Sequence, residues 1–283
     1  MGKTKRKLRK RTIYLILAVV LAICAIGSGA YWIVHQSRLN SQQEYYEMLQ
    51  TITIPMEEVE IPVTQSETAS EEECSAEPVD LTQYNVPQDK QPNFEELQTI
   101  NEHIYAWIYL PGTEVDYPIV QHPTELDYYL NHNIDGSEGY PGCIYTQHIN
   151  SKEFDDFNTV VYGHNMKNGT MFRELHSYED DTFFEDNPYI YIYTKDGVLV
   201  YQVFAAYEFS NIHLLMGFDL TSEDIRRIYL NNIFTAEGKN NNYNMEIPVS
   251  TDDNLLTLTT CIANKPDKRY LVAAVLVADG REQ

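Results

Sequence analysis

From Ile13 to Val34 the chain runs 22 residues without one charged side chain. At 1.5 Å per residue a helix of that length spans roughly 33 Å, enough to cross the hydrocarbon core of a bilayer. Lys3, Lys5, Arg6, Lys7, Arg9, Lys10 and Arg11 precede it, and Tyr31 and Trp32 stand at its far end. Positive charge before a span holds that end in the cytoplasm, and aromatic residues favour the water–lipid boundary. The expectation is a cytoplasmic basic tail (1–11), a transmembrane anchor (12–35) and everything beyond it outside the cell. A cleaved signal peptide is the competing reading, with Ser28-Gly29-Ala30 as the small-residue site. The length of the run and its apolar continuation past that site favour an uncleaved anchor.

Seven of the 20 Lys and Arg residues lie in the first eleven positions, which hold no Asp or Glu. The rest of the chain therefore sets 13 basic residues against 42 acidic ones, a formal charge of −29. Phosphate recognition needs a basic surface, so nucleic acid is excluded as a partner, and so is docking of the body on anionic headgroups. Residues 36–91 are polar and acidic, with Glu57, Glu58, Glu67, Glu71, Glu72 and Glu73 among Ser, Thr, Pro and Gln. Such a stretch lacks the apolar surface to fold alone and reads as an extracellular spacer. Residues 1–91 are expected to be dispensable for chemistry, with the folded domain (92–283) beginning near Pro92. Of four cysteines, Cys24 lies in the apolar run and Cys74 in the spacer, leaving Cys143 and Cys261 for the domain. That is no disulfide framework, and neither Cys-x-x-Cys nor His-Glu-x-x-His spacing is present, so no metal or other cofactor is expected.

The domain reads as many short strands and few helices. A helix is expected over Phe94–Asn101, followed by strands at Ala106–Leu110 and Pro118–Gln121. A short helix at Leu126–His132 precedes strands at Gly142–Thr146 and Thr159–Tyr162, then a helical turn at Met171–Leu175. Tyr189–Thr194 and Val198–Phe209 form a hairpin over Lys195-Asp196-Gly197. Ile225, Ile228, Tyr229 and Ile233 share one face of a helix over Ser222–Phe234, and Glu237–Asn242 reads as a loop. This pattern predicts a mainly β fold, a closed or nearly closed barrel with a few peripheral helices.

The last hairpin carries the chemistry. Leu255–Cys261 and Tyr270–Val277 are apolar, β-branched runs joined by the seven residues Ile262–Lys268. So short a connection favours an antiparallel pair, which sets Cys261 beside Arg269 at one end. A thiol next to a guanidinium is a candidate nucleophile with an anion stabiliser. Period-two alternation places Leu256, Leu258 and Thr260 on one face, with Thr257, Thr259 and Cys261 on the other. The bland alternative is a packed strand-end cysteine and an Arg269–Asp267 surface pair. Of eight histidines, His164 stands out, because it leaves the strand Val160-Val161-Tyr162 through Gly163.

Thr257-Leu258-Thr259-Thr260-Cys261, Arg269 and the upstream Tyr162-Gly163-His164-Asn165 together resemble the signature of sortases, membrane-anchored cysteine transpeptidases of Gram-positive bacteria. Trp107-Ile108, Pro111-Gly112-Thr113, Tyr117–Gln121, Tyr129-Leu130 and Gly169-Thr170-Met171-Phe172 are similar to the class B branch, as is the late helix. The likeness covers residues 92–278, with His164 and Cys261 97 positions apart. It departs at Thr259, where class B members often carry Ser, and at Cys143, where a small hydroxyl residue is more usual. The resemblance implies a sortase barrel in which Cys261 attacks, His164 manages the proton and Arg269 holds the oxyanion, with Leu130, Leu214, Thr259 and Thr260 lining the substrate groove. It implies as partners secreted proteins bearing a C-terminal sorting signal, cut at a Thr-containing motif, and an amine acceptor, either a peptidoglycan crossbridge precursor or a pilin lysine. The location implied is the cell membrane, single-pass, with the catalytic domain outside. A surface cysteine endopeptidase with the same triad, or a non-catalytic surface scaffold, are the alternatives.

Overall fold

The structure, a computed structural model, describes residues 2–53 and 79–281, with side chains from residue 14 onward. The chain divides into two compact units, one up to Tyr45 and one from Tyr46. A single helix, α1 (Gly2–Leu49), contains the whole expected anchor and continues past it. Its apolar residues from Tyr14 to Val34 are exposed, and it is long and apolar enough to cross a membrane.

Among the described residues, the second unit is built on nine strands: β1 (Ile104–Tyr109), β2 (Asp116–Val120), β3 (Ile144–Thr146), β4 (Asn158–Tyr162), β5 (Tyr189–Thr194), β6 (Gly197–Ser210), β7 (Asn242–Tyr243), β8 (Leu255–Ile262) and β9 (Lys265–Asp279). Their order is β5-β1-β2-β3-β4-β8-β9-β6, and β6 pairs back to β5. Eight strands thus close into a barrel, as the sequence pattern predicts, and β7 pairs with Ala205 and Ala206 of β6, beyond the stretch that β5 takes. Closure removes the free edges that an open sheet of such apolar strands would present.

The β2–β3 and β4–β8 pairs are parallel and the others antiparallel. The β4–β8 pair decides where the chemistry sits. Asn158 faces Leu255 and Tyr162 faces Thr259, so both strands end at one rim, and the residues following each emerge together.

Both faces of β8 are buried from Leu255 to Thr260. Leu256 and Leu258 take one face of the strand, while Leu255 on the other joins a cluster with Tyr229, Leu230 and Ile233 of helix α5 (Glu223–Phe234). Thr257 lies on that covered face and needs a partner there, because a buried hydroxyl without one costs about 1–3 kcal/mol. Its Oγ1 donates to Asn158 Oδ1 at 2.8 Å, and Asn158 Nδ2 donates to the Tyr229 hydroxyl at 2.9 Å. One polar chain therefore ties β4, β8 and α5 together beneath the rim.

Several elements differ from the pattern-based expectation. The folded unit begins at Tyr46 rather than near Pro92. Tyr46 and Leu49 are buried, the Tyr46 hydroxyl donates to the Gly142 carbonyl at 2.9 Å, and Gln50 Nε2 donates to the Asp116 carbonyl at 2.8 Å. Thr53 bridges to Pro92, and the Tyr84 hydroxyl donates to the Val277 carbonyl at 3.1 Å. Two pieces of the expected spacer are thus packed, while its residues 54–78, with Cys74, lie outside the described residues. A single helical turn, Tyr128–Leu130, stands where a helix over Leu126–His132 is expected, and the turn at Met171 runs on to Glu179. Besides the expected α2 (Phe94–Ile100), the described residues form two further short helices, α3 (Asp181–Asp186) and α4 (Leu214–Gly217). Both are too short for periodicity to show; their caps mark them, with Asp180 accepting from Phe183 N and His213 from Met216 N.

Candidate active site

At the rim the β8–β9 ladder sets Cys261 directly opposite Arg269. The expected seven-residue connection is shorter in the structure. β9 starts at Lys265, and Ala263-Asn264 make the turn, with Asn264 in the left-handed region at φ 63°. Asn tolerates that backbone better than most residues. The register slips just after Cys261, from Cys261–Arg269 to Ile262–Lys265, so Pro266, Asp267 and Lys268 bulge out of the ladder. Proline has no N–H to give a ladder and is found at such bulges. The bulge turns its carbonyls toward Arg269, whose Nη1 donates to the Pro266 and Lys268 oxygens at 3.1 and 2.9 Å. Two contacts hold one arm of the guanidinium; Nε and Nη2 have no protein acceptor among the described residues. Arg269 makes no ion pair with Asp267, so the surface-pair alternative finds no support here.

His164 leaves β4 through Gly163. The glycine is required by space rather than by backbone freedom, since a Cβ there would stand 2.6 Å from the side chains of Ile144 and Phe172. Gly163 N donates to the Thr259 carbonyl at 3.2 Å and Thr260 Oγ1 to the Gly163 carbonyl at 2.9 Å, carrying the β4–β8 seam past its last ladder pair. His164 Nε2 lies 2.7 Å from the Leu130 carbonyl. A carbonyl can only accept, so Nε2 carries the hydrogen, and a neutral ring keeps its lone pair on Nδ1. Burial disfavours the charged ring and holds His164 below the ordinary histidine value, with the Leu130 carbonyl opposing that shift. The exposed Tyr140 ring lies 5.1 Å from the imidazole and forms part of its cover.

Cys261, His164 and Arg269 line one cavity of about 300 Å³, which all four expected groove residues, Leu130, Leu214, Thr259 and Thr260, also line. Cys261 is exposed to it. Three polar atoms of residues lining this cavity are buried without a partner among the described residues: Gln147 Oε1, the Tyr162 hydroxyl and His213 Nε2. His213 Nδ1 accepts from Met216 N at 3.2 Å, so a neutral ring presents Nε2–H, a donor with nothing to give to. Buried polar groups are normally paired, and three orphans in the cavity that holds the nucleophile fit a ligand that carries polar groups of its own.

Sequence reasoning missed Gln147, Tyr162 and His213 as cavity residues, because nothing in their spacing shows where the loops fold. Cys143, the other domain cysteine, is buried; its Sγ donates to the His132 carbonyl at 3.4 Å and burial pushes the thiol up. It lies outside the cavity lining. Among the described residues no cluster of three or more His, Cys, Asp or Glu could hold a metal ion.

This arrangement can perform acyl transfer: an accessible thiol, a tautomer-fixed imidazole and a guanidinium with open donors around one polar-lined cavity. Comparison with known proteins agrees. The Sortase domain family matches residues 108–277. Sortase B of Listeria monocytogenes is 32% identical over 188 residues, covering 66% of this chain and 74% of the relative; sortase B of Staphylococcus aureus is 30% identical over 188 residues, with 66% and 75% covered. Among solved structures, Clostridium perfringens sortase B superposes with a TM-score of 0.59 at 28% identity, covering 66% of this chain and all of that one. A Staphylococcus aureus sortase B–substrate complex superposes at 0.57 with 29% identity, covering 65% and 84%. The barrel, the motifs and these relatives together make the chain a member of the sortase family of cysteine transpeptidases, in its class B branch.

Proposed function

We propose that the chain is a membrane-anchored sortase that cleaves a C-terminal sorting signal after a threonine and joins the new acyl end to an amine of the cell wall or of a pilin. The observation that carries this reading is the convergence of Cys261, His164 and Arg269 on one cavity with unpaired polar atoms in its wall. His164 Nδ1 takes the proton of the Cys261 thiol as the sulfur attacks the threonine carbonyl, and the carbonyl electrons move to oxygen beside Arg269. Collapse forms the thioester and breaks the peptide bond, and the leaving amine takes a proton from the His164 imidazolium. An incoming amine then attacks the thioester, giving a new amide and regenerating the thiol. Leu130, Leu214, Thr259 and Thr260 line the groove for the signal; the Tyr162 hydroxyl and His213 Nε2–H meet its polar groups. The apolar run in α1 supports a single-pass anchor, with the basic tail in the cytoplasm and the barrel outside.

The test is incubation of the chain with a library of threonine-containing peptides and a set of amines, including oligoglycine and a lysine-bearing peptide, read by mass spectrometry. The expected product is the acyl-threonine fragment carrying the added amine. Cleavage giving only the free acid with every amine would identify an endopeptidase with the same site instead.

A further inference from the structure

The mechanism leaves a second histidine unused. His176, half-buried in the helical turn Phe172–Glu179, stacks on Tyr270 of β9 with ring centroids 5.0 Å apart. Its Nδ1 lies 2.6 Å from Glu179 Oε1, and its Nε2 lies 3.0 Å from Asn165 Nδ2. Asn165 directly follows His164, and the same amide nitrogen donates to the backbone carbonyl of Cys261 at 2.7 Å. Glu179 is fixed in turn, because its Oε2 accepts from Asn240 Nδ2 at 2.8 Å.

The hydrogens on these atoms can be assigned. A carboxylate only accepts, so Nδ1 carries the hydrogen, and a neutral ring then offers a lone pair at Nε2. The Asn165 amide has two hydrogens. One goes to the Cys261 oxygen and the other to His176 Nε2, so each contact along Glu179–His176–Asn165–Cys261 has one donor and one acceptor. A ring protonated at both nitrogens would donate to the Cys261 oxygen itself, 3.1 Å from Nε2. Either way, a side-chain donor holds that carbonyl.

The Cys261 carbonyl needs such a donor. The β8–β9 register breaks immediately after this residue, and the bulge at Pro266 ends the regular ladder there. The nucleophile sits on the last regularly paired residue of its strand, where only outside contacts can fix the peptide plane. The contact comes from the residue next to the catalytic imidazole, so it also fixes the separation of the two loops.

We infer that Glu179 and His176 are positioning residues for the acyl-transfer reaction: they orient the Asn165 amide, which locks the Cys261 peptide against the His164 loop. This rests on Cys261 being the nucleophile. The relay is tested on the full-length chain in detergent micelles, with iodoacetamide as the probe. The Cys261 thiolate displaces iodide, and mass spectrometry of the Cys261 peptide follows the rate at one neutral pH. His176→Leu and Glu179→Leu remove the acceptor for Asn165 and the anchor for the ring. His176→Gln keeps both functions, since its Oε1 accepts from Asn165 and its Nε2 donates to Glu179. The expected result is a rate about tenfold lower or more in the two leucine variants, the scale on which supporting partners act. His176→Gln should stay within about threefold of wild type, and all three melting temperatures should remain close to it. Leucine variants that react at the wild-type rate would overturn the relay. An equal loss in His176→Gln would do the same, because packing of the ring rather than its hydrogen bonds would then be what matters. Failure of the proposed acyl transfer is distinguishable, since it would appear as an inert wild-type chain in the peptide assay with the alkylation pattern unaffected.

Discussion

Cys261 and Arg269 are direct partners across the β8–β9 ladder, and the ladder slips at the next residue. The pairing places thiol and guanidinium on neighbouring rigid strands, while the slip supplies the carbonyls that hold one arm of the arginine. Preorganised donors of this kind stabilise developing charge without reorganising during the reaction.

The two domain cysteines should separate cleanly. Cys261→Ala removes the accessible thiol and should abolish both cleavage and ligation of threonine peptides. Cys143→Ala removes a buried thiol outside the cavity and should leave most activity, with a modest fall in melting temperature from the small void. Comparable loss of turnover in both, with Cys143→Ala still folded, would give Cys143 a part in the chemistry.

Arg269→Lys should not behave as a conservative change. Arginine can keep Nη1 on the bulge carbonyls while other donors of the same planar fork face the cavity; a lysine ammonium is a point charge and cannot serve both. Loss of one oxyanion donor typically costs about 2.7–4 kcal/mol, roughly a hundred- to thousandfold in rate. Steady-state ligation rates, with melting temperatures as the folding control, measure this. A folded lysine variant within about threefold of wild type, far short of that loss, would remove Arg269 from the mechanism.

A chain starting at Pro92 should be markedly less stable than one starting before Tyr46. It loses Tyr46 and Leu49 from the core and the hydrogen bonds to Gly142, Asp116 and Val277. Burying one large apolar side chain is worth about 1.5–3 kcal/mol, so two of them are a sizeable fraction of a domain's net stability. Thermal melts of the two chains compare them; equal midpoints would show that residues 46–91 are a passive spacer after all.

How much of this was legible beforehand depended on the kind of signal. The barrel was legible because its strands are runs of β-branched and aromatic residues, and the pairing of Cys261 with Arg269 because a short connection leaves only the antiparallel option. The packing of Tyr46 was hidden: it continues a helix whose preceding residues belong to an apolar span, and nothing local distinguishes its contacts from those of a linker. His176 was also hidden. On its own turn it is one more histidine near an acid, and only the fold brings it to Asn165, eleven positions earlier, and to the Cys261 carbonyl 85 positions later. Gly163 was legible only as the residue through which the chain leaves its strand; what requires a glycine there, the crowding of Ile144 and Phe172, comes from the fold.

The His164 environment predicts a pH dependence of stability with a definite sign. Burial lowers its folded-state pKa below the ordinary value of about 6.5 that the unfolded chain retains. Between those two values the unfolded state binds more protons, so stability must rise with pH through that window and fall on acidification. The contribution is fully present above the unfolded pKa, where the ring is neutral in both states, and is lost as the pH drops toward the folded pKa. His164→Gln keeps a donor that can reach the Leu130 carbonyl but cannot titrate. The difference in unfolding free energy, wild type minus variant, should therefore shrink as pH is lowered from about 7 to about 5. Two-dimensional NMR of the imidazole should place the His164 titration below that of an ordinary exposed histidine. A difference that stays flat across the window, or a His164 titration at or above about 6.5, would mean that the ring is better solvated than its burial beside Leu130 implies.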